Sequence, residues 1–306
     1  MPLTLAFGSR AHASPPESVV LVTADLESHV VVLDPDRARV LARIRTAPGP
    51  RSIERVGRRS ALVAHTQHGR LSIVDAAERA VRVELDEFAA PRYTAAHPKR
   101  RIAYVTDSAA EEVVAVDTES GRVVSRVRVP GPARHVSLDR DGTVLWAALG
   151  SRAERLAVLD LADPLRPRLE RTFAPPHLAH DVVFARDGHV WVTSGDGRRV
   201  GIFRRDRQLV RLLAADRAPQ HVAFVGSYAL VASGDDGTVR VHRPDGLLVR
   251  RGSVAVGSYN VSVAGPRAAT PSLSQGTVSI LDANGRVRAS RTVARAAHDA
   301  CFVLGS

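Results

Sequence analysis

The sequence predicts an all-β fold, a single seven-bladed β-propeller with four-stranded blades, and three observations carry that prediction. A polar residue opening a short apolar run returns seven times, at Arg51, Arg92, His135, His180, His221, Asn260 and His298, and a period of roughly 40 residues marks a repeat array. Within each repeat the runs are short, rich in valine and separated by Gly, Asp, Asn and Ser, the pattern of strands joined by hairpins. The two ends of the chain carry complementary parts of one unit, so the array closes on itself.

Taken in order, residues 1–17 read as a loose leader and residues 18–306 as the propeller. Val19–Thr23, Val30–Leu33 and Val40–Arg45 are three strands whose turns fall at Asp25–Ser28 and Asp34–Arg37. The repeat opened by Arg92 shows a full set of four, its last run Val123–Val129 following the Thr118–Gly121 turn. The repeats opened by His180 and His221 are the cleanest copies, HDVVFARDGHVWVTSGDGRRVGIF and HVAFVGSYALVASGDDGTVRVH. In the first of these, Val190–Thr193 and Val200–Phe203 are the second and third strands. The repeat at His298 yields one strand only, Ala300–Leu304, before the chain stops. Residues 298–306 and 18–46 together therefore make the closing blade, which covers both terminal strand edges.

Composition narrows the function classes. The net charge of +11 suggests nucleic acid, but the basic residues are arginines scattered through turns, with Lys99 the only lysine. Aromatics are 4% of the chain, too few for base-stacking platforms, and the arginine, alanine and valine bias matches a GC-rich genome, so specific nucleic-acid binding is not expected. No run approaches the roughly 18 apolar residues of a membrane span. Cys301 is the only cysteine and sits in an apolar strand, which excludes an internal disulfide and predicts a buried, inert thiol. Leu3–Phe7 and Ala11-His12-Ala13 are too short and too uncharged for an export signal. As written the chain is expected in the cytoplasm, and outside it if translation starts further upstream. It is expected to be a monomer.

Tyr104-Val105-Thr106-Asp107, then Val113–Val116, Asp117, Thr118 and Gly121-Arg122-Val123-Val124, resemble the unit of YVTN-type seven-bladed propellers, relatives in architecture of WD40 propellers. Echoes occur at Ser72–Asp75, Ala157–Asp160, Val190–Thr193 and Ser279–Asp282. That resemblance implies the fold and a binding or surface role, and it implies no particular activity. A weaker similarity to streptogramin B lyase propellers lies in Ala297–Phe302 and His180–Phe184, which would make His298 a catalytic histidine with His221 or His180 a second. The glutamate-bearing strand end of those lyases is missing here, leaving Asp25 or Glu27 as the carboxylate nearest His298.

The openers define the candidate site. The first strand of a propeller blade is innermost, so residues at one fixed position on it ring the central channel. Arg51, Arg92, His135, His180, His221, Asn260 and His298 are thus expected to bind a small-molecule or protein ligand at one mouth. Four imidazoles gathered there, His135, His180, His221 and His298, offer nitrogen ligands to a divalent transition metal such as zinc, copper or iron. The rival to a binding module is a metal-dependent enzyme of lyase, hydrolase or oxygenase type, with Arg51 or Arg92 holding an anionic part of its substrate.

His65-x-x-His68 and His177-x-x-His180 look metal-like, yet strand residues three apart face opposite sides. The Asp-Gly pairs at Asp196-Gly197 and Asp236-Gly237 are hairpin chemistry rather than calcium loops. Asp181 and Asp299, each directly after a histidine, are expected to brace a neighbouring blade through backbone hydrogen bonds.

Overall fold

The computed structural model describes residues 18–305 with the exception of Asp196, so the leader, the Ala11–Ala13 segment and the Asp196 half of one turn lie outside the described residues. Valine-rich runs of about six residues alternate with Asp, Gly and Asn turns, and each set of four pairs as one antiparallel sheet; there are seven such sheets. Their inner strands are Ser52–Arg55, Pro91–Ala96, Ala133–Leu138, Val182–Phe184, Pro219–Val225, Ser262–Ala264 and Ala297–Leu304, here numbered as blades one to seven. Among the described residues the only helical element is a single 3-10 turn, Thr66–His68.

Blade seven is assembled from both ends as the sequence predicts. Its inner strand, Ala297–Leu304, pairs with Ser18–Ala24 in a register running from Ser18 opposite Leu304 to Val22 opposite Ala300. His29–Asp34 and Arg39–Arg45 complete it outward. The second and third strands of each blade are sandwiched between neighbouring blades and are apolar on both faces, as in HVVVLD and IAYVTD. Outer strands alternate, and Val123–Arg128 exposes every second residue because one of its faces meets water.

The core is therefore a ring rather than a ball. Seven clusters of buried side chains fill the seven contacts between adjacent blades. The cluster between blades three and four holds Trp146, wholly buried, with Phe173, Phe184 and Phe203 around it at centroid distances of 5.3–6.4 Å. The cluster between blades seven and one contains Cys301, buried as expected, and burial pushes its thiol pKa well up.

Polar residues tie inner strand to inner strand. Asp299 accepts a hydrogen bond from the Ile53 backbone N–H across the junction of blades seven and one, and Asp181 accepts one from Val222 N–H across the junction of blades four and five. Thr23 and Thr193 repeat the pattern by donating to the carbonyls of Arg51 and Gln220 on the next blade. These are the bracing roles anticipated for Asp181 and Asp299. They fix the rotation of each blade on its neighbour and so set where the channel-facing side chains meet.

Candidate metal centre

Inner-strand register decides which residues share a level of the channel, and it corrects one expectation. Ile53, Thr94, Val136, Val182, Val222 and Ala300 are equivalent, each paired with the middle of its second strand. One residue earlier stand Ser52, Tyr93, His135, Asp181, His221 and Asp299. Two residues earlier stand Arg51, Arg92, Arg134, His180, Gln220 and His298. The openers were expected to occupy one position, yet His135 and His221 lie one residue deeper than His180 and His298. Four inner strands also carry a register shift at their start, between Pro91 and Thr94, Ala133 and Val136, and Pro219 and His221, and in the pairing of blade seven, so the regular alternation of strand faces is broken where these residues lie.

Three of the four histidines nevertheless come together. His135, His180 and His221 come from consecutive blades, and their ligand atoms all lie within 4.8 Å of one another. Ring centroids are 4.4 Å apart for His135 and His180, 4.7 Å for His135 and His221, and 6.0 Å for His180 and His221. The His135 Nε2 to His221 Nε2 distance is 3.2 Å. Zinc–nitrogen bonds of about 2.0–2.1 Å place two nitrogens of a tetrahedral ion about 3.3 Å apart, so this edge is already of coordination size.

Each ring is held in place by its surroundings. His221 Nδ1 lies 3.4 Å from Asp181 Oδ2, and Asp181 is in turn fixed by the N–H groups of Val182 and Val222. That contact sets a carboxylate behind His221 while its Nε2 lies on the side of His135, the carboxylate–histidine arrangement common behind metal ligands. Tyr93 stacks on His135 at 3.5 Å between centroids, with 29° between the planes. His180 rests against Gly195, whose φ is +69°; a Cβ there would sit 2.8 Å from the His180 Cβ, so this turn needs glycine both for its backbone and for the ring's seat.

Electrostatics keeps the rings ready to bind. Burial, and then the neighbouring imidazoles and Arg134, hold the pKa values of His135 and His180 well below the ordinary histidine value, so both are neutral at pH 7. Burial without protonation needs partners. Nevertheless, the buried His180 Nε2 and His135 Nδ1 have no hydrogen-bond partner among the described residues.

The remaining expected residues are placed elsewhere. His298 is a correction: it is not part of the trio, because blade six stands between its blade and that of His221, and its Nδ1 lies 3.3 Å from Asp25 Oδ2. His298 and Arg51, the latter at 3.7 Å, together hold the Asp25 carboxyl below the usual carboxylate range. Asp25 is thus the carboxylate that the sequence offered for His298. Asn260 donates to the His298 carbonyl and serves the backbone. Arg92 donates to Ser108 Oγ at the same mouth. His65 bonds Pro48 O and Ser72 Oγ, and His177 bonds Val192 O, so neither His-x-x-His pair chelates.

Tyr93 and Arg134 are the site residues that sequence reasoning missed. Each adjoins an opener, and only the register shift at the strand start reveals which of two neighbours faces the channel.

The trio lines two cavities. A channel of about 650 Å³ is lined by Glu54, Tyr93, His135, Asp181, His221 and Asp299, among others. An outer recess of about 350 Å³ is lined by Arg134, His180, Ser194, Gln220 and Asp235 with their neighbours. His180 faces the recess, while His135 and His221 face the channel.

No protein-family description matches the chain, and no curated protein matches it in sequence. Solved structures do. It is similar to a functionally unknown protein from Desulfotomaculum acetoxidans, with 11% identity and a TM-score of 0.82 over 94% of this chain and 99% of that one. It is similar to hydrazine synthase of Kuenenia stuttgartiensis, with 16% identity and a TM-score of 0.75 over 90% and 99%. Apo AztD from Citrobacter koseri gives 12% identity and a TM-score of 0.74 over 96% and 99%. At such identities the likeness extends to architecture alone, and what the comparisons establish is a seven-bladed β-propeller.

Proposed function

We propose that this propeller is a metal-binding protein that holds one divalent transition ion, of which zinc suits the ligands best, on His135, His180 and His221 at one mouth of its channel. The observation that carries the reading is the convergence of three imidazoles within 4.8 Å, two of them, His135 and His180, held neutral by burial and each with a buried ring nitrogen lacking a partner among the described residues. Neutral imidazole is the form that binds metal, and nitrogen donors suit zinc, copper and iron. Asp181, the carboxylate nearest the trio, is occupied by His221 and two backbone N–H groups. It is thus committed to positioning a ligand and not to moving protons, which favours binding over catalysis.

Three protein ligands leave a coordination position open, and this one feature favours the second reading, a metal-dependent hydrolase or lyase. The first test is elemental analysis of the purified, untagged protein by inductively coupled plasma mass spectrometry, before and after loading with zinc, copper and iron and desalting. The expected result is near one equivalent of metal in the wild type and none in His180→Ala. Absence of retained metal under every loading condition overturns the reading. Hydrolysis of a carboxylic-ester panel by the zinc-loaded protein, lost in His180→Ala, would move it to the enzyme.

A further inference from the structure

The outer recess gives the open coordination position an occupant. Arg134 lines it beside His180, is close enough to raise the cost of charging both His135 and His180, and donates through Nη1 to the Ser151 carbonyl. Its Nε–H is buried without a partner among the described residues. Arg92 lies near Arg134, and its guanidinium donates to the neutral Ser108 hydroxyl.

The acids of this mouth are already engaged. Asp25 serves His298 and Arg51, Asp181 serves His221, and Asp299 caps the Ile53 N–H. Asp235, which also lines the recess, accepts from the Tyr259 hydroxyl. No carboxylate forms an ion pair with Arg92 or Arg134 among the described residues. A divalent ion on the three imidazoles would add two more positive charges beside these guanidinium groups. Like charges gathered at a half-buried site repel strongly, and an anion within reach of all of them relieves that repulsion.

We propose that a small organic carboxylate completes the coordination of the ion held by His135, His180 and His221, one oxygen on the metal and the other on Arg134, with Arg92 adding long-range attraction. This rests on the metal reading above. A carboxylate matches the flat fork of an arginine and can bridge it to a metal. The recess, at about 350 Å³, falls within the span of small-ligand sites, about 300–1,000 Å³. Ser194 and Gln220 on its wall supply further polar contacts for the body of such a molecule.

The test uses the full chain loaded with cobalt(II), whose visible absorption reports its ligands. Sodium acetate is titrated in at constant ionic strength, with sodium perchlorate as the non-coordinating control. The expected result is a saturable change in the cobalt spectrum with acetate but not perchlorate, and acetate affinity about ten-fold or more weaker in Arg134→Ala, the size of one charge-assisted hydrogen bond. Cobalt content per chain should be the same in both proteins. A spectrum that acetate does not move, with cobalt retained, overturns this proposal and leaves the metal site standing. An equal response in Arg134→Ala overturns it too, since the anion would then answer to the metal alone. Failure of the wild type to retain cobalt removes the metal reading and this proposal with it. Arg134→Lys, which keeps the charge without the fork, is expected to recover only part of the affinity.

Discussion

At the scale of single residues, the trio depends on contacts made behind it. Asp181 aims His221, so Asp181→Asn should weaken zinc affinity about 10- to 100-fold, as loss of an outer-shell carboxylate does, while leaving the three ligands present. Competition against a chromophoric chelator measures it, and unchanged affinity would show that His221 needs no such guide. Gly195→Ala tests the seat of His180: a methyl group 2.8 Å from the His180 Cβ must push the ring aside. Metal binding is expected to fall more than thermal stability does. Tyr93, stacked on His135, is buried deeply enough that its hydroxyl pKa is driven far up, so the ring serves by shape and not by ionisation.

At the scale of strands and blades, the braces between inner strands carry stability. Asp299→Ala leaves the Ile53 N–H buried without its acceptor and should cost about 1–3 kcal/mol, read from urea unfolding. Trp146→Ala, between blades three and four, should cost about 3–5 kcal/mol, because three phenylalanine rings lose their common packing partner. The blades themselves were legible in the sequence: strand length, turn residues and the split closing unit all follow from local chemistry and chain length. The braces at Asp181 and Asp299 were legible too, as acids directly following a histidine on an inner strand, although both also line the channel.

The composition of the site was only partly readable. Repeat spacing found His135, His180 and His221, but the one-residue shifts where inner strands begin depend on pairing with the second strand, which no short segment encodes. The blade that stands between blades five and seven is why His298 is not with the other three, and the broken alternation at the start of the inner strand of blade three is why Arg134 was not anticipated.

At the scale of the whole molecule, buried ionisable groups make stability depend on pH in two opposing ways. His135 and His180 have depressed pKa values in the folded state, so their contribution is complete above the ordinary histidine value of about 6.5 and is lost as pH falls below it, by about 1.4 kcal/mol per pH unit for each. Glu54 in the channel is the reverse case: burial, with repulsion from Asp299, pushes its pKa up to about 8, so its contribution is present below the ordinary glutamate value and lost as pH rises toward 8. In chelator-treated protein, urea unfolding across pH 5–8 should show a shallower acid limb for the double variant His135→Gln/His180→Gln and a flatter alkaline limb for Glu54→Gln.

The pairing of Ser18 with Leu304 has a consequence for how the protein is made. The innermost strand of blade seven is made after every other strand of the propeller, so until it arrives Ser18–Ala24 waits with a bare edge, open to any strand that passes. Blades three to five, by contrast, are contiguous in the chain and finished well before release. An ion captured by their histidines would stiffen the middle of the arc while its two ends are still apart, so metal supplied during translation should raise the yield of closed, unaggregated protein more than the same metal added afterwards.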